Sequence, residues 1–294
     1  MVDAAGTPQS LAPSRAASRA RVWRFVRRNP TLVIGLVILG LMLLAALAAP
    51  WVAGDPYSMK PVQRFLPPSD TFWFGTDNLG RDVYARTIYG ARVSLAVGLS
   101  VAILAVLVGL AIGVLAGFFR PVEILVMRLM DGLMAIPAIL LAIALISLFK
   151  GSVGVVIIAI VVPEVPRVAR LVRSVVLTTR EQPYVEAAIA SGTRLRRILL
   201  RHILPSTFSP LIVQATYICA SAILIEAGLS FLGAGTPPEI PTWGNMIASS
   251  RVYLARAPWT VFCPGVALAL VVLAVNLVGD GLRDRLDPRI ARRM

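Results

Sequence analysis

Charge is scarce in this sequence. Of its 294 residues only 15% are Asp, Glu, Lys or Arg, against about 25% in an ordinary soluble domain. That is too little polar material to skin a soluble fold, and the apolar content excludes a disordered chain. Histidine occurs once, as His202, and cysteine twice, as Cys219 and Cys263. Two isolated cysteines in or beside apolar runs form neither a disulfide framework nor a zinc site. They read as small packing residues. Lysine occurs only at positions 60 and 150, neither in a GxxxxGK[ST] loop, so nucleotide binding through a P-loop is excluded. HExxH, GxSxG and metal-ligand clusters are absent too, which leaves an enzyme reading without a site.

What the chain has instead is hydrophobic sequence, 57% of it, gathered into long runs. About 20 apolar residues cross a bilayer as a helix. Six stretches reach or approach that length: 31–52, 93–118, 124–148, 153–165, 208–232 and 259–282. The fold class expected is all-α, a polytopic membrane protein with six transmembrane helices. The fourth stretch is short and ends in Pro163-Glu164-Val165-Pro166; its helix is expected to continue past Pro166 to Leu171, with a kink. The first has a basic lead-in and an Ala46-Leu47-Ala48 stretch resembling a cleavage site. Its 22 residues are too many for a signal-peptide core, so it reads as a retained span.

The formal charge is +14. Alone, that fits nucleic acid, anionic lipid or an acidic partner. The basic residues lie in short segments between apolar runs, which disfavours nucleic acid. With the N-terminus inside and six crossings, 21 of the 29 basic residues fall on the cytoplasmic side. That bias places both termini in the cytoplasm. The resulting map has a cytoplasmic tail (1–30, its first 20 residues unstructured), a first span (31–53) and an extracytoplasmic loop (54–92). A core of five spans follows (93–282), then a cytoplasmic tail (283–294). Two external segments, 54–90 and 233–258, carry prolines and tryptophans and are expected to be ordered, with Trp243 and Trp259 as interfacial anchors. No internal repeat of useful strength is present.

The most informative segment is 167–205, expected in the cytoplasm. Pro183 is placed to open a helix, and Glu186 follows near the positive end of its dipole. Ala187, Ala188 and Ala190 form a small-residue surface, which Gly192 and Thr193 break. In the next stretch Leu195, Ile198, Leu199 and His202 share one face, with Arg194, Arg197 and Arg201 on another. A helix this short must dock on something. On the residues alone, an anionic lipid surface and a groove on a partner protein are both open.

Glu186-Ala187-Ala188, Gly192 after three further residues, and Leu204-Pro205 at the end resemble the EAA motif of ABC-type importer permeases, with His202 in place of an isoleucine. The blocks FGTDNLGRDVYARTIYGARVSL (74–95) and EAGLSFLGAGTPPEIPTWGNMI (226–247) are similar to segments of the peptide and nickel branch of that family. The likeness spans residues 70–290, and its order of blocks resembles the C-type subunit of dipeptide and oligopeptide permeases. The resemblance implies a type I importer permease in a bacterial inner membrane. Its partners would be a homologous permease chain, two ATPase subunits and an extracytoplasmic binding protein, besides membrane lipid. No cofactor is expected on this chain, since ATP and Mg would sit on the ATPases. Glu186, Ala187, Ala188 and Gly192 would form a coupling helix seated in an ATPase cleft, with Arg194, Arg196, Arg197, Arg201, His202, Leu204 and Pro205 beside it.

Three further features qualify as candidates. Glu226 lies inside the fifth span, where a carboxylate needs a partner or a wet cavity; a pathway role and a structural bond are both open. Asp77, Arg81, Asp82, Arg86 and Arg92 form a mixed-charge block, a gate or docking surface by resemblance, in which Asp82 and Arg86 are spaced to pair on a helix. The function expected is ATP-driven import of dipeptides or oligopeptides. Import of nickel or another small solute is a rival in the same architecture. A self-sufficient secondary transporter or channel is a rival of another class.

Overall fold

The structure, a computed structural model, describes residues 26, 27, 29–149 and 151–286. The two terminal tails and Lys150 therefore lie outside the described residues, apart from a few positions at the tails' inner ends. Among the described residues, nine α-helices follow in order from Pro30: α1 Pro30–Val52, α2 Val83–Phe118, α3 Arg120–Ala135, α4 Ala138–Ser147, α5 Val153–Arg180, α6 Pro183–Ala190, α7 Leu195–Phe231, α8 Trp243–Ser250 and α9 Trp259–Leu286. Among the described residues there is no strand, only a single bridge between Thr76 and Asp82.

Four of these helices, α1, α2, α7 and α9, are long and apolar enough to cross a membrane. The expected third span is broken. α3 and α4 meet at 92°, because Pro137 offers no amide and forces Ile136 into extended backbone. Together they make a fifth crossing at most. The stretch at 153–165 belongs to α5, which runs on through Pro163 and Pro166 to Arg180, beyond the expected end at Leu171. α5 falls outside this set because Glu164, Arg167 and Arg170 bring three charges into its most apolar stretch.

α5 nevertheless lies alongside α2. Their contact is a seam of small residues: Ala105, Gly109, Gly113 and Gly117, four apart on α2, are all buried. A Cβ at Gly109 would lie 2.5 Å from Val168 Cβ, one at Gly113 2.6 Å from Val172 Cβ, and one at Gly117 2.8 Å from Val176 Cβ. The two backbones meet as closely as glycine allows, the small-xxx-small packing of membrane helices. The pairs advance in step, so α2 and α5 run parallel.

Two helices start earlier than their apolar runs. α2 opens at Val83, where the Asp82 side chain caps it by accepting from the Tyr84 amide at 2.9 Å. α7 opens at Leu195, so the basic amphipathic stretch is its first turns and not a separate short helix. Its turn at Leu199–Ile203 is π-helical, with the Leu204 amide reaching back to Leu199 O. A π turn fits the Pro205 that follows, which has no amide to continue an α pattern.

The seam yields a test. Gly113→Leu should lower the stability of the purified protein by about 1–3 kcal/mol through overpacking, read as a lower melting temperature in detergent. Gly132→Leu, where a Cβ meets nothing within 4 Å, is the control and should melt like the unmodified chain. Equal melting of the two variants would contradict the seam.

Candidate functional site

The corner between α6 and α7 carries the residues the sequence singles out. Pro183 stands in the first turn of α6 and Val185 is buried, which pins the helix, while Glu186 and Ala187 are exposed and Ala188 is half-buried. α6 ends in a Schellman turn: the Thr193 amide donates to Ala188 O at 3.1 Å and the Gly192 amide to Ile189 O at 2.9 Å. Gly192 takes φ +73°, a left-handed conformation glycine adopts without strain. No atom lies within 4 Å of where its Cβ would be, so backbone geometry and not crowding demands glycine here.

Beyond the turn Ile198 and Ile203 are buried, and Arg194, Arg196, Arg197 and Arg201 are exposed. None of the four has an ion-pair partner among the described residues. With Gly192 and Pro205 they line an open hollow of about 860 Å³. His202 is half-buried, its ring 6.3 Å from that of Tyr184, and its Nδ1 has no partner. Leu204 is half-buried and Pro205 exposed. The corner thus offers a rigid small-residue ridge flanked by four unpaired guanidinium groups. Such a surface suits docking on an anionic macromolecular face.

Glu226 sits near the other end of α7 and is fully buried. Its Oε1 accepts from the hydroxyls of Ser230 at 2.9 Å, Thr242 at 3.0 Å and Thr236 at 3.4 Å, and its Oε2 has no partner. Thr242 also caps α8, accepting from the Asn245 amide at 3.1 Å. Asn245 Nδ2 in turn donates to Thr236 Oγ1 at 2.8 Å and to nearby carbonyls. Glu226 therefore clasps the segment before α8 to α7. Trp243 fastens the other side of α8: it is fully buried, and its indole donates to Thr87 O on α2 at 3.0 Å. An interfacial anchor was expected there. Trp259 is likewise tied inward, donating to Thr76 O at 3.2 Å. Both indoles find carbonyls inside the chain, which satisfies their N–H.

The charged block before α2 is also turned inward. Asp77 and Arg81 form a buried ion pair at 2.6 Å, and Asp77 Oδ1 accepts the amides of Leu79 and Arg81. Arg86 is buried and donates to Pro56 O at 3.2 Å. The Asp82–Arg86 pair allowed by spacing does not form, because Asp82 is occupied in capping α2. Burial pushes the Asp82 carboxyl above its ordinary value, against the opposing pull of the Tyr84 and Ala85 amides. Asp77, Arg81 and Arg86, expected in a gate or docking surface, are buried, and Glu226, for which a pathway role and a structural bond were both open, makes structural bonds. Their charge is spent on holding the loops. Ser230, Thr236, Thr242 and Asn245 carry the clasp and were not singled out in the sequence, since common hydroxyls without a spacing rule give no signal.

Three ion pairs involve α5: Glu164–Arg167 on that helix, and Arg170 with Asp131 and Arg173 with Glu123, both carboxylates on α3. They run down one side of α5 at three-residue intervals.

Residues 105–292 match the model of the family described as "Binding-protein-dependent transport system inner membrane component". Residues 19–68 match the "N-terminal TM domain of oligopeptide transport permease C". The chain is 58% identical over 289 residues to the "Probable peptide ABC transporter permease protein y4tQ" of Sinorhizobium fredii, covering 97% of this chain and 99% of that one. It is 41% identical over 289 residues to the "Dipeptide transport system permease protein DppC" of Alkalihalophilus pseudofirmus, covering 96% and 95%. Among solved structures, an inward-facing form of the MetNI methionine ABC transporter superposes with a TM-score of 0.56 at 21% identity. It covers 68% of this chain and 95% of that one, a likeness of fold.

The clasp is testable by hydrogen exchange. Glu226→Ala should speed amide exchange across Trp243–Ser250 about tenfold or more, since three buried hydroxyls lose their acceptor. Glu239→Ala, an exposed site on the same segment, should leave exchange unchanged. Unaltered protection of α8 in Glu226→Ala would show that the clasp holds nothing.

Proposed function

We propose, from the premise that this chain belongs to the binding-protein-dependent transport system inner membrane component family, that it is the translocation subunit of an ATP-driven importer of dipeptides or oligopeptides. Peptide is the substrate named for relatives that align with this chain from end to end. ATP is hydrolysed on two separate ATPase subunits, a homologous permease chain completes the pathway, and a binding protein delivers the peptide from outside. The α6–α7 corner and both termini face the cytoplasm of a bacterial inner membrane.

The observation that carries this reading is the corner itself. α6 ends in a fixed Schellman turn and presents Glu186 and Ala187 outward, and α7 continues from that corner as one helix of 37 residues. An ATPase cleft that closes on α6 pushes a lever about 55 Å long. The far end of that lever is clasped through Glu226 to α8, and α8 is fastened through Trp243 to α2. Motion entered at one face of the membrane reaches the other as a rigid-body displacement. ATP can shift the inward–outward equilibrium only if the two states hold the ATPases differently, and the exposed corner is where that difference is felt. The four unpaired arginines around Gly192 complement acidic groups on the ATPase.

Gly192→Asp tests the coupling. A side chain at φ +73° is strained by about 1–2 kcal/mol, and a carboxylate beside four arginines alters the docking charge. In the reconstituted importer this variant should assemble and hydrolyse ATP, yet uptake of labelled dipeptide should fall about tenfold or more. Normal uptake would sink the coupling role.

A further inference from the structure

The charge ladder on α5 begins at an unusual depth. Val168 abuts Gly109, which lies inside the apolar run of α2, nine residues before its end at Phe118. Arg167, one residue before Val168, therefore stands within the apolar depth of the spans, on the half nearer the α6–α7 corner. Its partner Glu164 is 1% exposed and accepts from Arg167 Nη1 at 3.3 and 3.5 Å, while the Arg167 side chain itself is 44% exposed. No other acceptor for that guanidinium is present among the described residues. The lower arginines differ, because Arg170 and Arg173 are each matched by a carboxylate on α3. A half-exposed guanidinium facing lipid at this depth is expensive. It is tolerated where it lines a wet path or meets an anion.

The same turn is poor in backbone bonds. Pro163 and Pro166 have no amide to give to the carbonyls of Ala159 and Val162. A fixed cation and loosened backbone thus coincide on one turn of a buried helix, the arrangement in which intramembrane sites are built.

We propose that Arg167, held in place by Glu164, is a subsite within the translocation path for the carboxylate of the passing peptide. This inference rests on the peptide reading above. Glu164 takes up part of the arginine's charge through a long ion pair, so the guanidinium keeps its outward N–H groups for a transient ligand. A carboxylate bound there is held by charge-assisted hydrogen bonds, and the competing Glu164 keeps that hold weak enough for release.

The test uses the complete importer in proteoliposomes, with ATP enclosed, binding protein outside and tritiated dialanine as the probe. Glu164→Gln with Arg167→Gln removes both charges together, so no uncompensated charge is buried and the fold is spared. The expected result is about tenfold slower uptake with binding-protein-stimulated ATP hydrolysis and subunit composition unchanged. Uptake within twofold of the unmodified importer would overturn the subsite. Loss of the second permease chain on purification would overturn it too, by showing that Arg167 pairs across the subunit interface. Arg167→Lys keeps a cation without the fork and should recover part of the rate; no recovery counts against a carboxylate ligand. Failure of the unmodified importer to take up dialanine would strike at the peptide reading itself.

Discussion

The close approach of α2 to α5 is the constraint on which the rest of this structure depends. Gly109, Gly113 and Gly117 remove every side chain from one stripe of α2, and Val168, Val172 and Val176 fill the space. In lipid no hydrophobic force drives helices together, so contact of this kind must supply the attraction. The seam holds a helix that is too polar to be stable against lipid on its own. It also fixes the depth of Glu164 and Arg167 and the place where α5 ends. α6 hangs from that end, so the position of the α6–α7 corner follows from the seam.

Several charges in this protein are spent on bonds within the chain. Asp77–Arg81 ties a loop, Asp82 caps α2, Glu226 clasps the segment before α8, and Glu123 and Asp131 bind arginines of α5. The arginines around Gly192 are the contrast, exposed and without partners among the described residues. The inner charges are bonded within the chain, and this group is left exposed.

Much of this was legible in the sequence, and the limits have physical causes. The apolar runs marked α1, α2, α7 and α9 because hydropathy is a property of consecutive residues. The run 124–148 read as one helix because its apolarity is continuous; the single Pro137 that turns it by 92° leaves no mark on hydropathy. Helix starts were placed late at α2 and α7, since capping and packing extend those helices into charged sequence. The corner was found because Gly192 needs its φ and the motif around it has fixed spacing. The clasp was not, because Thr236 and Thr242 meet Glu226 only through a folded loop. The acceptors of Trp243 and Trp259 are likewise set by the fold, since a sequence does not say which carbonyl an indole will find.

The π turn at Leu199–Ile203 has a consequence for the geometry of the lever. A π turn holds one residue more than an α turn, and each residue of an α-helix is worth about 100° of rotation. The arginines before that turn are thus indexed one step away from the azimuth that uninterrupted α winding from Glu226 would give them. Deleting a single residue there would restore plain α winding and swing the guanidinium face about a quarter of a revolution around the axis. The two ends of α7 are set in phase as well as in distance, and the angular setting is stored in those five residues.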